Sequence, residues 1–491
     1  MEQLLLITNK TLIYLFINSL SLLLNTCKLL FGPNGNFLRL QLKKNLVKSK
    51  ECWKIINYMS YKNPLIKLLN FGLRSFATIL IDSNLLCVLL ISNTLCNTLY
   101  LLLFGIDKVF ITKKLKLIKN ISLKLINFVK IDTYLFSNYF TYLLLLGFMC
   151  TKLEKNKAKQ LLKVVLFSIQ YIHGSLKTTK EVSFSFHSVL SSRSSMVITF
   201  TGFTLKCNSR NQILPRNLKN FFYIKIRGSD FYNIYHAIIR KWQKFKNYNT
   251  LHQETKLLIL TDSVIENFIL LKLVSYKIYV IDKCRSINFE ENYIFASQIT
   301  DVNSFLLKDN QMLFADIILE YEMYGNRIFI IKSKFNKDNI SYLCFGNDVN
   351  KKKDVMIMIF KSIKLAMLLD SSSSVIYGAG FIEIFLLKNI LKYYTKKKTI
   401  DKFVTYSIIK SLFIIPNSLM RNSFNSPKLL EVYKHISINK TIYGVDCEHK
   451  CLSIIKYLNI FDLFIFKEYI FFLLGEVTSE ILKLDSVLVN N

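Results

Sequence analysis

Long apolar segments dominate residues 1–130 and the region after about residue 375, and they predict helices at both ends of the chain. The stretch 174–206 is instead rich in Ser, Thr, Val and Phe, and parts of it alternate as strands do. From residue 256, "KLLIL", "VIENFILLKLVSY" and "KIYVIDK" predict a strand, a helix and a strand. Segments 326–333 and 339–346 predict a β-hairpin, and "DVMIMIFKSIKLAMLL" predicts another helix. The pattern therefore indicates a helical domain interrupted by an α/β module.

Two uncharged runs, residues 83–106 and 133–151, raise the alternative of a multi-pass membrane protein. The first is long enough to span a hydrocarbon core of about 30 Å. It also carries polar side chains that lipid tolerates poorly unless they are paired, namely Ser83, Asn84, Ser92, Asn93, Thr94, Asn97 and Thr98. Composition alone therefore supports membrane spans and buried helices of a soluble core equally.

The net charge of +33 is typical of proteins that bind nucleic acid or anionic membranes. The excess is nearly all lysine, however, and it accompanies few Gly and Pro, as expected from an AT-rich coding bias. Stacked-aromatic and zinc motifs that would favour nucleic-acid binding are missing from the sequence, since "CEHKC" (447–451) has no second ligand pair. The ten scattered cysteines indicate a reducing compartment.

The chain has only 14 glycines and 5 prolines, yet "FGPNG" places Gly32, Pro33 and Gly35 within four positions. Bare backbone in such a turn can approach an anion closely, although a plain surface turn is the alternative. A second pair, Gly378 and Gly380, lies between a predicted strand and a predicted helix in "VIYGAGFIEI". That arrangement suits either an anion at a helix N-terminus or close packing of strand against helix.

Taken in order, these motifs resemble the group II chaperonins, the ring-forming ATPases of the archaeal and eukaryotic cytosol. "FGPNG" matches the family's phosphate loop, "NPLIKLL" its helix start, and "ILIDSN" the position of its Gly-Asp-Gly loop. "FIIPNSLMRNSFNSPKLL", "YGVD" and "GEVTSEILKLDSVL" are similar to its later motifs. The similarity is strong over residues 20–110 and 338–488, and four of the five prolines lie at family positions.

The resemblance implies that ATP and Mg²⁺ are the cofactors and that Asp82 holds the metal. The implied nucleotide-binding residues are Gly32, Pro33, Asn34, Gly35, Asp82, Ser83, Gly378, Ala379, Gly380, Asp446 and Asp462. Two departures from the family affect hydrolysis. Ile81 and Ser83 replace the glycines around Asp82, and Lys361, or Leu365 in a shifted alignment, stands where the family has its water-activating aspartate. Since neither Lys nor Leu can act as that base, we expect ATP hydrolysis to be weak or lost.

The implied fold is a multidomain α+β architecture of the group II chaperonin type. Its discontinuous helical equatorial domain comprises residues 1–130 and 376–491, its intermediate domain 131–192 and 341–375, and its α/β apical domain 193–340. In that fold the run 83–106 is a buried helix. The implied partners are other chaperonin subunits in a hetero-oligomeric double ring and unfolded client polypeptides, with neither nucleic acid nor membrane. We expect a cytoplasmic location, and the AT-rich bias suits the cytosol-like compartment around a reduced endosymbiont nucleus.

Overall fold

The computed structural model divides the chain into two compact units. One unit contains Met1–Leu162 and Lys361–Asn491, and the other contains Lys163–Phe360. The structure describes residues 4–7, 9–42, 45–49, 52–62, 66–67, 69–71, 73, 81, 84–133, 137–175, 183–189, 196–201, 203–207, 219–226, 235–236, 238–240, 242–243, 256–261, 264–282, 284–285, 313–323, 326–332, 339–345, 349–394, 399–423, 443–484 and 487–490.

Helices and strands are named in chain order. The N-terminal part contains β1 (Leu4–Ile7), α1 (Asn9–Leu30), β2 (Leu38–Leu42), β3 (Asn45–Ser49), α2 (Cys52–Lys62), α3 (Asn84–Leu103), α4 (Lys108–Phe128), β4 (Ile131–Asp132), α5 (Ser137–Cys150) and α6 (Lys155–Ser175). The middle part contains β5 (Ser183–Val189), β6 (Met196–Thr201), β7 (Phe203–Cys207), β8 (Lys219–Ile226), β9 (Lys256–Thr261), α7 (Asn267–Ser275), β10 (Ile278–Ile281), β11 (Cys284–Arg285), β12 (Leu313–Met323), β13 (Asn326–Lys332), β14 (Asn339–Phe345) and α8 (Val349–Ser372). The C-terminal part contains β15 (Ser374–Tyr377), α9 (Phe381–Tyr394), α10 (Thr399–Lys410), a 3₁₀ helix (Ser411–Phe413), α11 (Ile414–Ser423), β16 (Tyr443–Asp446), β17 (Cys451–Ile454), α12 (Ile455–Leu458), β18 (Phe461–Leu463), α13 (Phe464–Leu482) and β19 (Val487–Asn490).

The core of the first unit is built around α3, which packs against α1 and α13. The sequence of α3 is rich in leucine over its whole length, and most of its side chains are buried on all sides. A helix that is apolar all round is stable only when other elements cover it completely. Helix α13 also packs against α4, so these four helices form one continuous core.

Within the part of the chain that the structure describes, three segments are long and apolar enough to cross a membrane on length and composition alone, namely Thr11–Leu30, Asn84–Leu103 and Ile400–Ser423. The run 83–106 corresponds to the second of these segments. The other predicted run, 133–151, contains the 14-residue helix α5, which is shorter than a span.

Polar side chains of α3 find partners inside the first unit. Asn93 Nδ2 donates to the Ser411 carbonyl at 2.9 Å, and Asn97 Nδ2 donates to the Ser407 carbonyl at 3.1 Å. Thr94 Oγ1 lies 2.8 Å from Ser411 Oγ. These side chains therefore act as polar contacts between α3 and the segment formed by α10 and the 3₁₀ helix.

Short strands join distant parts of the first unit. Strand β15 lies between β18 and β4 and is antiparallel to both. Strands β1 and β19 pair antiparallel, and β2–β3 and β16–β17 are hairpins. Because β15 leads directly into α9, the β15–β18 pairing fixes where that helix begins.

The second unit contains a seven-stranded sheet in the order β10-β9-β8-β12-β13-β7-β11. Strands β8, β9 and β10 are parallel, and α7 connects β9 to β10. The strand–helix–strand prediction for residues 256–283 is thus confirmed. Side chains of α7 and β9 pack with the fully buried Trp242 in the core of this unit.

The predicted β-hairpin between residues 326–333 and 339–346 is wrong. Strand β13 pairs with β12 and β7, whereas β14 pairs with β5 and β6 in a separate three-stranded sheet. The tight connection lies between Met323 and Asn326, which are paired residues of β12 and β13. The sequence prediction overlooked β12 and therefore gave β13 the wrong neighbour.

The α+β class is confirmed, since helices dominate the first unit and strands the second. The division into five segments with equatorial, intermediate and apical roles stays a prediction. The predicted helix start at Asn63 and Pro64 lies outside the described residues.

Candidate functional site

The first glycine pair forms a tight turn directly after α1. The Gly35 N–H donates to the Gly32 carbonyl at 3.2 Å, and the Asn36 N–H donates to the Leu29 carbonyl at 2.8 Å. Gly32 has φ +84°, and a Cβ on Gly35 would lie 2.3 Å from the Leu30 carbonyl oxygen. Both glycines are therefore required by the backbone, Gly32 for its dihedral angle and Gly35 for its close approach.

Helix α11 holds the first turn in place. Asn422 Nδ2 donates to the carbonyls of Lys28 and Phe31, at 2.8 and 2.7 Å. Asn34 Nδ2 in turn donates to Ser423 Oγ at 3.4 Å and to the Cys447 carbonyl at 3.1 Å. Two asparagines thus tie the turn to α11 and to the loop after β16.

The second glycine pair forms the turn between β15 and α9. Ala379 and Gly380 both have positive φ, +53° and +75°. The Gly378 N–H donates to the Ile460 carbonyl at 2.9 Å, and the Val445 N–H donates to the Ala379 carbonyl at 3.0 Å. Both sequence interpretations of this turn are compatible with the geometry, because it packs closely and also opens a helix.

The same elements contact both turns. A Cβ on Gly380 would lie 3.2 Å from Pro416 in α11, and one on Gly444 in β16 would lie 3.2 Å from the Ala379 methyl group. Helix α11 also contacts the first turn, because a Cβ added to Gly32 would lie only 2.7 Å from a methyl carbon of Leu419. The structure therefore places both glycine turns against α11.

Asp446 stands at the end of β16, and its carboxylate closes the loop that follows. Asp446 Oδ1 accepts hydrogen bonds from the N–H groups of Glu448 and His449 at 2.9 and 3.0 Å, and Oδ2 lies 2.8 Å from His449 Nδ1. Burial raises the pKa of the carboxyl group, but these hydrogen bonds outweigh that effect and hold the pKa below its usual value. The geometry shows this residue shaping its own loop, and its predicted contact with nucleotide stays a prediction.

Asp462 lies against the second turn. Asp462, in β18, pairs with Ile376 in β15, and its Oδ1 would lie 3.3 Å from a Cβ added to Gly378. Its Oδ2 forms an ion pair with Lys467 Nζ, and the two atoms lie 3.2 Å apart. The predicted residues Gly378 and Asp462 are therefore direct neighbours.

Lys467 joins Asp462 to a second, fully buried carboxylate, Glu383. Lys467 Nζ lies 2.8 Å from Glu383 Oε1, and the two side chains are 3% and 0% exposed. Burial lowers the pKa of Lys467, but the charges of Glu383 and Asp462 outweigh it, so the net shift is upward and the ammonium keeps its charge. Lys467 is not among the residues predicted from the sequence. The only available signal was a charged pair, Lys467 and Glu468, inside the otherwise apolar "FIFKEYIFFLL".

Positive charge lies close to the first turn. The pKa of Lys28, four residues before Gly32, is lowered by burial and by the neighbouring Arg421 guanidinium.

The predicted metal ligand Asp82 and its neighbour Ser83 lie outside the described residues. Ile81 is described, and it is buried with φ +45°, a left-handed conformation that favours glycine. This is the position at which the resemblance expects a glycine. In the part of the chain that the structure describes, no three His, Cys, Asp or Glu residues are grouped to hold a metal ion.

Lys361 and Leu365 both lie on α8. Lys361 is half-buried and Leu365 is buried. Neither side chain is a carboxylate, and the sequence has no acidic residue between Asp354 and Asp370. The expected loss of the water-activating aspartate therefore stays a prediction that rests on the alignment.

Comparison with known protein families gives a match that begins within α1 and runs to the end of the chain. The matching family model is the TCP-1/cpn60 chaperonin family, and it covers residues 23–491. Both glycine turns, α11, β16 and the Lys467 contacts fall within the match. Members of this family assemble into rings and bind unfolded polypeptides. The chain belongs to the TCP-1/cpn60 chaperonin family.

Proposed function

We propose that this chain is a subunit of a group II, ATP-dependent chaperonin ring that binds and folds unfolded polypeptides. The observation that carries the proposal is the placement of the two glycine turns against the same helix, α11, with β16 beside the second turn and the loop after β16 beside the first. Each turn matches a family motif, and the motifs lie more than 340 residues apart in the sequence. Their placement against one helix is expected if both contact one nucleotide.

The turns have the chemistry that a polyphosphate needs. Gly32 and Gly35 allow the backbone to turn tightly after α1, and α9 begins immediately after Gly380, so its N-terminal end faces the second turn. Backbone N–H groups and the positive end of a helix dipole both favour phosphate.

Asp82 is the residue that would hold Mg²⁺, and the metal when bound would neutralise phosphate charge. The left-handed backbone at Ile81 supports a family-like loop at this point, because the family has glycine there. The isoleucine and serine side chains would reduce the space beside the phosphates.

We further propose that the chain binds ATP but hydrolyses it slowly, because Lys361 replaces the water-activating aspartate. Restoring the carboxylate in Lys361→Asp should raise ATP turnover at least about tenfold, since a positioned base contributes roughly 10²–10⁴ to a rate. Lys364→Asp is the matched control, because Lys364 is an exposed residue on the same helix. Equal turnover in wild type and Lys361→Asp would remove Lys361 as the cause.

Within group II, the resemblance favours a theta-like subunit of the eukaryotic cytosolic chaperonin. The asparagine in "GPNG", the "GAG" and "EI" pairing, and "MVITFTGFTLK" after a serine-rich run support this placement. The partners would then be paralogous subunits in a hetero-oligomeric double ring, in the cytosol or a cytosol-like compartment.

The proposed function is tested with the purified full chain. We expect it to bind a fluorescent ATP analogue in the presence of Mg²⁺ and to suppress aggregation of a chemically unfolded polypeptide on dilution. Suppression without any nucleotide binding would leave the chain a chaperone but overturn its ATP dependence. Failure of both assays would overturn the proposal.

A further inference from the structure

A buried lysine connects two elements of the candidate nucleotide site. Lys467 Nζ lies 2.8 Å from Glu383 Oε1 and 3.2 Å from Asp462 Oδ2. Glu383 is the third residue of α9, directly after the second glycine turn, and Asp462 belongs to the strand that pairs with β15 directly before that turn. Lys467 therefore connects the helix that follows the second glycine turn to the strand that pairs with the residues before it.

The charges in this cluster do not balance. Two carboxylates share one ammonium, and Glu383 Oε2 has no hydrogen-bond partner within the described part of the chain although its residue is fully buried. A buried ion pair usually adds little stability relative to apolar side chains of the same size. A cluster that buries Glu383 and Lys467 at this cost is more easily explained by a role in orientation than by stability.

Asp462 is the member of the cluster that a ligand can reach, because its side chain is 40% exposed whereas that of Lys467 is 3% exposed. Its Oδ2 faces Lys467, and its Oδ1 is the oxygen beside Gly378. Holding Oδ2 fixes the rotation of the carboxylate and thereby the place of Oδ1.

We infer that Lys467 is a positioning residue of the nucleotide site, which holds Asp462 so that its Oδ1 meets the bound nucleotide beside the second glycine turn. The inference rests on the proposed function and adds to it a residue that contacts no ligand. Lys467 alone cannot be removed cleanly, because Glu383 would be left as an unpaired buried charge. The test therefore removes both partners.

The full chain carrying Glu383→Met and Lys467→Met keeps the volume of the site without its charges. We expect this variant to fold and to show a cooperative thermal unfolding transition. It should bind the fluorescent ATP analogue about tenfold more weakly than wild type, which is the size of effect that outer-shell residues have in metal sites. Lys483→Met is the control, since it removes an exposed ion pair with Glu480 just beyond the same helix. If the methionine pair does not fold, Glu383→Gln with Lys467→Gln gives a neutral pair for the same measurement.

A second readout separates positioning from a general structural effect. If Lys467 acts through Asp462, adding the methionine pair to Asp462→Asn should cause little further loss of affinity. The inference would be overturned if the losses of affinity caused by Asp462→Asn and by the methionine pair were independent, so that their fold-changes multiplied in the combined variant. It would also be overturned if the folded methionine pair bound the analogue as tightly as wild type. If wild type and Lys483→Met also fail to bind the analogue, the proposed function itself fails.

Discussion

Gly35 leaves no room for a side chain. Its Cβ would lie 2.3 Å from the Leu30 carbonyl oxygen and 2.8 Å from that of Phe31, and both neighbours are backbone atoms that cannot rotate away. We expect Gly35→Ala to lower the free energy of unfolding by roughly 2–4 kcal/mol, because the end of α1 must shift to relieve the overlap. Chemical denaturation of the full chain measures the loss.

The matched control for this substitution is Gly147→Ala in α5, where a Cβ would meet nothing within 4 Å. Alanine is the better helix former by up to about 1 kcal/mol, so this control should be neutral or stabilising. Equal effects of the two substitutions would show that the close approach at Gly35 is not what requires glycine there.

Asp446 should make stability depend on pH in the acid range. Because its folded pKa lies below the usual 3.8, the ionised carboxylate stabilises the fold above that value, and the stabilisation is lost as the pH falls through the folded pKa. Asp446→Asn should cost about 1 kcal/mol at pH 7, and the difference from wild type should shrink as the pH falls below the usual pKa of 3.8. Urea unfolding at several pH values measures it, and a pH-independent difference would contradict the assignment.

The importance of a single residue could be predicted from the sequence where its residue type is rare in the chain. Glycines are rare in this chain, so each cluster of them indicated a backbone requirement, and all four turn glycines lie in the two turns that pack against α11. Lys467 was not predictable, because lysine is abundant and its carboxylate partners lie 5 and 84 residues away in the sequence. Only the fold shows which of the many lysines is buried.

Among the elements, α3 is held to the C-terminal helices by amide hydrogen bonds. Asn93→Ala would remove one of two donors to the Ser411 carbonyl, which also accepts from the Ile414 N–H. We expect a loss of about 0.5–1.5 kcal/mol in the free energy of unfolding, the net contribution of a typical hydrogen bond. Thermal or denaturant unfolding of the full chain provides the measurement.

Asn25→Ala on α1 is the control for this element, because Asn25 is exposed on its helix. Alanine has the higher helix propensity, so the control should be neutral or slightly stabilising. A loss at Asn25 as large as at Asn93 would mean that the α3 contact contributes nothing particular.

Element types were easier to predict than element partners. Strands β9, β10, β13 and β14 were recognised from local composition, but the neighbours of β13 and β14 depend on strands more than 100 residues away, such as β5 and β7. Similarly, hydropathy could not separate a buried α3 from a span. The pairing of Asn93 and Asn97 with residues more than 300 positions later explains how a folded interior accommodates those side chains.

At the scale of the whole molecule, apolar surface remains after the chain has folded. The 18-residue window of Thr11–Leu30 is only 44% buried, although its hydropathy would suffice for a membrane span. The exposed large apolar side chains of this helix are Tyr14, Leu15, Leu22 and Leu29, and apolar surface of this kind marks an interaction site when it is contiguous. Neighbouring subunits of a ring would cover it in a soluble particle, and lipid would cover it in a membrane.

Ring neighbours and lipid predict different results when the tagged protein is fractionated from its own cell. Ring assembly predicts a soluble particle many times heavier than the 57.5 kDa chain, containing related subunits. We expect this outcome, because the chain belongs to a ring-forming family and Asn93, Thr94 and Asn97 of α3 are paired within the protein. Native mass measurement after fractionation decides the question. Recovery only after detergent extraction of membranes would mean that α1 and α3 act as spans and that the proposed ring does not form.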